Sequence, residues 1–251
     1  MINIDIEGNV GVISLNRPPV NAINHDLINQ LLDSLNRLES DNNIKGVVLT
    51  GQPGCFSAGL DIVGLFPKDQ SYMTQFWGDF SSLLIKLFSF SKPLYSCING
   101  HCPAGGTVMV IMTDYRIMSD GKFVIGLNEV DVGLTVPYGI GSVFQYVVGN
   151  RNAEDLLLKA KLISPEEALR VGLIDEVCDH DLVMDTTLKK IQESTQLLSP
   201  QQSKTRMILR EKVLDKMKSK FNEDTQLILD SWFSESGQQR LEILFNKLSI
   251  V

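Results

Sequence analysis

The run Gly46-Val47-Val48-Leu49-Thr50-Gly51 has no polar face. It is too short for a helix, and it lacks the alternation of a strand with one wet side. It reads as a strand buried on both faces, the usual situation inside a parallel sheet. A parallel partner requires a crossover, and one stands just before it. Leu27, Leu31, Leu35 and Leu38 recur at spacings of four, four and three, the apolar face of a helix of about four turns. The pattern then returns. Tyr72 to Phe90 places Phe76, Phe80, Leu83, Leu84, Leu87 and Phe88 on one side, Pro93 stops it, and Leu94–Ile98 forms another short apolar strand. Strands alternating with amphipathic helices specify the α/β class.

The remaining chain fits around this alternation. Ile2–Ile6 and Val10–Leu15, separated by Gly8-Asn9, predict a hairpin that Asn16-Arg17-Pro18-Pro19 ends. Gly51 to Lys68 reads as a loop and Asn99-Gly100 as a turn. Gly105-Gly106 opens Thr107–Met112, too uniformly apolar for anything but a buried helix. Tyr115–Met118 and Lys122–Ile125 are further short strands. From Asn152 the chain reads as helices: Ala153–Lys161, Pro165–Val171, Asp181–Leu197, Pro200–Lys220 and Thr225–Asn246. The change of texture near 190–200 divides a core, residues 1–195, from a C-terminal helical module, residues 196–251, that packs on its own domain or on a neighbouring subunit. Residues 204–220 carry seven basic and two acidic side chains, which makes either a solvated face or a contact with phosphate or a partner. No internal repeat is present.

Composition excludes several classes. At 43% hydrophobic and 21% charged, the chain is not a disordered one, and its 251 residues can bury a core without disulfide or metal. A net charge of −7 argues against a nucleic-acid partner. No run of about 18 apolar residues predicts a membrane span. The N-terminus carries neither a secretory nor an Arg-rich presequence, so the reading is a cytosolic protein or one whose targeting segment has been removed. Leu248-Ser249-Ile250-Val251 is not the Ser-Lys-Leu peroxisomal address. Cys55, Cys97, Cys102 and Cys178 lack metal spacing and read as reduced thiols. His25, His101 and His180 have no partners at ligand spacing and read as surface or capping residues. No metal is expected. Neither GxxxxGK[ST] nor GxSxG occurs.

Three segments could carry chemistry. Phe56-Ser57-Ala58-Gly59-Leu60-Asp61 follows the Gly46 strand, and its small residues admit the close approach of another backbone or a ligand. Asn99-Gly100-His101-Cys102-Pro103-Ala104-Gly105-Gly106 leads into the apolar helix, whose first amides lack helical partners and suit an oxyanion. Taken alone, each loop reads more readily as a tight turn than as a site. Glu129 follows Gly126-Leu127-Asn128 and precedes Val130, Val132 and Leu134. It is either exposed on a turn or held in apolar surroundings for proton transfer.

Taken together, these segments resemble a known family. The order is Leu15-Asn16-Arg17-Pro18 with Asn21-Ala22, Phe56-Ser57-Ala58-Gly59-Leu60-Asp61, Ser91-Lys92-Pro93, Asn99-Gly100 with Ala104-Gly105-Gly106, Asp114-Tyr115-Arg116-Ile117, Gly126-Leu127-Asn128-Glu129 with Gly133-Leu134, and Ala168 with Val171-Gly172-Leu173-Ile174-Asp175. It looks like the crotonase (enoyl-CoA hydratase/isomerase) superfamily over residues 10 to 180, while the C-terminal helices match in texture only. The resemblance implies an α/β crotonase-like spiral of repeated β-β-α units with a C-terminal helical trimerisation region, hence a homotrimer. It implies acyl-CoA thioesters as substrates, coenzyme A being part of the substrate and no separate cofactor being needed. It places the N–H groups of Leu60 and Gly105 as the oxyanion hole, and Ser57, Ala58, Gly59 and Asp61 along the bent coenzyme A arm.

Family hydratases use two Glu residues, one three positions after the equivalent of Gly105 and one at the equivalent of Glu129. Here the first position is Val108, which cannot orient water. One carboxylate is enough to move a double bond from C3–C4 to C2–C3, because a base on one face can take the C2 proton and return it to C4. Cys102-Pro103-Ala104-Gly105-Gly106 and Ile125-Gly126-Leu127-Asn128-Glu129 resemble the mitochondrial delta-3,delta-2-enoyl-CoA isomerase branch. That resemblance implies an isomerase of unsaturated fatty-acid oxidation in the mitochondrial matrix, with peroxisome or cytoplasm as the alternatives. Asn128 would position the thioester or the carboxylate. A hydratase, a thioester hydrolase and a non-catalytic acyl-CoA-binding protein remain the alternatives. Phe66, Trp77, Phe80 and Phe144 are candidate walls for the acyl chain or plain core, and Lys204 or Arg206 is a candidate for a coenzyme A phosphate.

Overall fold

A computed structural model of the chain describes residues 1–196 and 199–249. Leu197, where the third of the late helices was expected to end, and the terminal Ile250-Val251 lie outside the described residues. The hairpin forms as its sequence predicts: β1 (Ile2–Glu7) runs antiparallel to β2 (Val10–Leu15), with Ile2 opposite Leu15. Gly8 has φ of +64° in the turn between them, a conformation that glycine adopts without steric cost.

From here the chain repeats one plan. A strand enters a large sheet, a shorter strand enters a small sheet, and a helix returns. The helix α1 (His25–Ser40), capped by the Asn24 side chain at 2.9 Å from the Leu27 N–H, leads to β3 (Gly46–Thr50). The short β4 (Gly54–Cys55), α2 (Ile62–Leu65) and α3 (Gln70–Phe88) follow. The second round is β5 (Leu94–Ile98), β6 (Gly100–Pro103) and α4 (Gly105–Val110). The third is β7 (Tyr115–Ser119), β8 (Ile125–Gly126), α5 (Tyr138–Leu158) and α6 (Pro165–Val171). Strand β9 (Glu176–Cys178) closes the large sheet, ordered β1-β2-β3-β5-β7-β9 and parallel after the hairpin, while β4-β6-β8 form a small parallel sheet. This is the α/β spiral of β-β-α units that the sequence resemblance implied.

Two-sided burial explains why the strands lack polar alternation. Val47 and Leu49 point into the main core with α1 and α3, whereas Val48 joins Val10, Val12, Cys97 and Ile117 in a second cluster on the opposite face. That second face is covered by α7 (Val183–Gln196) through Val183 and Ile191. The remaining helices α8 (Pro200–Ser219), α9 (Phe221–Trp232) and α10 (Glu235–Leu248) extend the main core. Trp232 of α9 is fully buried, its ring 6.2 Å from Trp77 of α3.

Several expectations are corrected. The single helix expected over Thr225–Asn246 is two, because Ser234 accepts the Gly237 N–H at 3.0 Å and starts α10 afresh. Gly100 opens β6 instead of turning, and Lys122–Ile125 contributes only Ile125 to a strand. The first half of α5, up to Gly149 at φ +76°, was not anticipated, nor were α2 and β9. Within the main core, Leu35 has no exposed surface. Leu35→Ala should cost about 2–5 kcal/mol in urea unfolding; a loss below about 1 kcal/mol would contradict the described packing.

Candidate active site

The small sheet places the site. Its three strands are parallel, so their carboxyl ends face one way, and in sheets of this kind ligands sit beyond those ends. Each strand leads directly into one of the three segments singled out from the sequence. Leu60 follows β4, Gly105 follows β6, and Glu129 follows β8. Pairing continues past the strand ends: the Phe56 N–H donates to the His101 carbonyl at 2.9 Å, and the Ala104 N–H to that of Gly126 at 2.8 Å.

The first loop rests on residues far back in the chain. The Asn21 side-chain amide donates to the carbonyls of Phe56 (3.0 Å) and Cys55 (3.3 Å). Arg17 forms an ion pair with Asp61 at 2.6 Å, and Asp61 also accepts the Gly64 N–H at the start of α2. The carboxylate of Asp61 is therefore committed to holding the loop. Ser57 is fully buried; its hydroxyl donates to the Asn21 carbonyl at 2.8 Å and accepts the Gly59 N–H at 3.2 Å. Of the expected coenzyme A contacts in this loop, Ala58 alone is exposed. The flanking Ile23 N–H donates to the Gly59 carbonyl and the Asp61 N–H to the Ile23 carbonyl, so the Leu60 amide points away from this pairing. Among the described residues it has no acceptor.

The second loop meets the first at Gly59 and Gly105. A Cβ placed on Gly59, which has φ of +92°, would lie 3.1 Å from the Gly105 nitrogen. Ala104, before α4, has φ +49° and ψ −123°, a conformation that costs a non-glycine residue about 1–3 kcal/mol. It turns the chain so that the Gly105 N–H begins the helix without an acceptor among the described residues. Thr107, fully buried, joins this helix to β8: its hydroxyl receives the Gly126 N–H at 2.9 Å and contacts the Cys102 carbonyl. Arg17, Asn21 and Thr107 are thus supporting residues whose part the sequence did not announce. Only Arg17 and Asn21 belonged to a noted motif.

Glu129 is half-buried, and its Oε2 is shielded from solvent without a hydrogen-bond partner among the described residues. Burial pushes its carboxyl up from the ordinary 4.5 to about 7, while its own backbone N–H pulls the other way. Of the two readings left open, apolar confinement is the one that holds. Leu127 and Leu134 are buried beside it in the main core, and Asn128 is half-buried, its carbonyl receiving the Asp131 N–H. Val108, 2% exposed, brings no second carboxylate from α4.

The other candidates lie apart. His25 pairs with Asp79 at 2.5 Å, and His101 is exposed, accepting the Val124 N–H at 3.3 Å. His180 stands beside Phe123, with ring centroids 5.7 Å apart. No cluster of His, Cys, Asp or Glu suited to a metal occurs among the described residues. Trp77 and Phe80 line a cavity with Gly139, Ile140, Met217 and Ile228. Phe144 is core, and Phe66 stacks near Phe245 at 5.2 Å. Arg206 is held by Asp114 at 2.5 Å. No helix among the described residues is long and apolar enough to cross a membrane.

Comparison with known proteins bears on the family and the fold. Residues 5–242 match the family model of enoyl-CoA hydratase/isomerase. The mitochondrial enoyl-CoA delta isomerase 1 of Homo sapiens is 30% identical over 250 residues, covering 99% of this chain and 83% of the relative. A probable enoyl-CoA hydratase of Mycobacterium leprae is 31% identical over 178 residues, covering 70% of this chain and 68% of the relative. The crystal structure of the human mitochondrial delta3-delta2-enoyl-CoA isomerase superposes with a TM-score of 0.96 at 30% identity, covering 99% of this chain and 98% of that one.

The buried carboxylate has a consequence for stability. Because its folded value of about 7 lies above the ordinary 4.5, the folded state holds an extra proton between those limits. The associated stability is complete below about pH 4.5 and is lost as the pH rises through 7. Glu129→Gln should therefore be more stable than the parent at pH 8 by roughly 1–3 kcal/mol, with the gap closing towards pH 4.5. Thermal melts of both proteins across that range check this, and a gap independent of pH would contradict the burial.

Proposed function

The chain belongs to the enoyl-CoA hydratase/isomerase family, and we propose that its reaction is the conversion of 3-enoyl-CoA to trans-2-enoyl-CoA. The observation that carries this reading is a lone confined carboxylate, Glu129, where the second carboxylate of a hydratase is replaced by Val108. The full-length likeness to proteins named as isomerases supports it.

In this scheme the thioester carbonyl lies against the N–H groups of Leu60 and Gly105. Proton loss from C2 places negative charge on that oxygen, and donors already in place stabilise it without reorganising. Glu129 takes the C2 proton as a carboxylate. The electrons of that C–H bond become the C1–C2 double bond of the enolate. As the enolate collapses, C2–C3 becomes double, the electrons of the old C3–C4 double bond capture a proton at C4, and Glu129 returns to its carboxylate form. A group titrating near 7 is close to balanced between taking and giving a proton, which suits a single shuttle at neutral pH. Confinement among apolar side chains keeps the borrowed proton from exchanging with water. Asn128 orients the thioester or the carboxylate, and the exposed Ala58 lies along the coenzyme A arm. No cofactor beyond coenzyme A in the substrate is required.

The same reading places the protein in the mitochondrial matrix, in the oxidation of unsaturated fatty acids, as a homotrimer assembled through the helical module 196–251. Relatives named as mitochondrial support the compartment.

Glu129→Gln should lower isomerisation of 3-enoyl-CoA by about 10²–10⁴-fold or more while acyl-CoA binding persists. Retained turnover in that variant would refute the single-base scheme. Supplied with trans-2-enoyl-CoA, the parent protein should accumulate no 3-hydroxyacyl-CoA, as followed by mass spectrometry. Steady formation of that product would make it a hydratase, and release of free acid a hydrolase.

A further inference from the structure

The segment that carries Glu129 leaves the small sheet at Gly126 and does not return to it. From Glu129 to Leu134 it is closed by local turns, the Leu134 N–H donating to the Glu129 carbonyl at 2.8 Å. Turns alone do not fix a loop against the rest of a molecule. Among the described residues, every long-range hydrogen bond to residues 129–139 comes from α9 and α10. Arg240 donates to the Asp131 carbonyl at 2.6 Å, and the Thr135 N–H donates to Ser231 Oγ at 3.2 Å. The Tyr138 and Gly139 N–H groups donate to the two oxygens of Asp224, at 2.7 and 2.8 Å.

The Asp224 contact solves a specific problem. Helix α5 begins after Pro137, which offers no side chain to cap it, so its first amides need an acceptor from elsewhere. Asp224, 7% exposed on α9, supplies both oxygens, and negative charge at a helix N-terminus is favourable. Shape agrees with this. A Cβ on Gly139 would stand 2.9 Å from Asp224 Oδ2, and one on Gly133 (φ +81°) would stand 3.0 Å from Arg240 Cδ and 3.1 Å from Gly237 Cα. Glycine occurs where α9 and α10 come closest.

We propose that Asp224 and Arg240 are positioning residues for Glu129: they grip the far and near ends of the 129–139 segment, so the C-terminal helices set the placement of that carboxylate. This rests on Glu129 being the proton shuttle of the reading above. It gives α9 and α10 a part in the chemistry of their own subunit, separate from any part in assembly. Releasing either grip lets the segment move and admits water to Glu129. The oxyanion donors Leu60 and Gly105 follow the other two strands and are untouched.

The test uses the full-length protein with Asp224→Ala, Asp224→Asn, Arg240→Met and Arg240→Lys. Turnover of 3-enoyl-CoA gives kcat and KM. Carbon-13 NMR of labelled glutamate, assigned with Glu129→Gln, follows the Glu129 titration without substrate. Asp131, Arg240, Asp224, Glu223 and Lys216 are charged groups on or against this segment, so the Glu129 midpoint is read in each variant against the parent. Asp224→Ala and Arg240→Met should lower kcat by up to about 10²-fold, as for a misplacement of about 1 Å, with KM little changed. The Glu129 midpoint should fall towards the ordinary carboxylate range. Arg240→Lys keeps a donor for the Asp131 carbonyl and should recover part of kcat. Asp224→Asn turns a donor towards a backbone N–H and should resemble Asp224→Ala. Ile191→Ala, in the second hydrophobic cluster, is the control for general destabilisation. If the Asp224 and Arg240 variants lose only melting temperature, or lose kcat no more than that control, the proposal is overturned. Arg240 is exposed, so its variants decide the matter even if Asp224→Ala does not fold. If the parent protein proves not to isomerise, the reaction assignment fails by itself, and the titration alone still decides whether α9 and α10 set the environment of Glu129.

Discussion

A side chain at position 100 would overlap the backbone of Gly54, its Cβ only 2.0 Å from the Gly54 carbonyl carbon. That close approach of two main chains lets β4 and β6 pair, and the small parallel sheet depends on it. The sheet is only a few residues wide along each strand, yet it gives three distant segments one common direction. With Gly100 and Gly54 apart, Leu60 would lose the frame it shares with Gly105 and Glu129. The approach is affordable because both strands are short and lie between elements fixed by the large sheet.

The candidate site sets two main-chain amides that lack acceptors among the described residues on the same small sheet as a confined carboxyl group. Main-chain amides do not depend on side-chain identity at Leu60. What must be specific is the support: Arg17 with Asp61, Asn21 with the Phe56 carbonyl, Ser57 with the Asn21 carbonyl, and Thr107 with Gly126. Each satisfies polar groups that the loop would otherwise leave buried and unpaired, a cost of about 1–3 kcal/mol apiece. Glu129 differs from these: it has a buried carboxyl oxygen without a partner among the described residues. Structures keep such a group when the energy it costs is offset elsewhere and its reactivity is used.

Legibility in the sequence followed the range of the forces involved. The hairpin β1–β2, the strands β3 and β5 and the helix α6 were read to within about a residue, because hydrophobic period, glycine and proline act locally. The join between α9 and α10 was not, since the apolar spacing runs on through Phe233 and only the Ser234 cap interrupts it. The strands β8 and β9 are two and three residues long and owe their form to neighbours. The candidate residues Leu60, Gly105 and Glu129 were singled out through the motif order. The supporting parts played by Asn21 and Thr107, and the grip of Asp224, act across long stretches of chain and leave no pattern near Glu129.

By itself the sequence determined the α/β class, the candidate loops and the absence of a second carboxylate at Val108, because these follow from residue type and short-range spacing. Only the tertiary structure decided whether Glu129 stood in water or among apolar side chains. It alone showed that Ser57 and Asp61 are occupied in bracing their loop, and that α9 and α10 hold the acidic segment. Burial and charge pairing are sums over neighbours from the whole chain, and those neighbours are chosen by the fold.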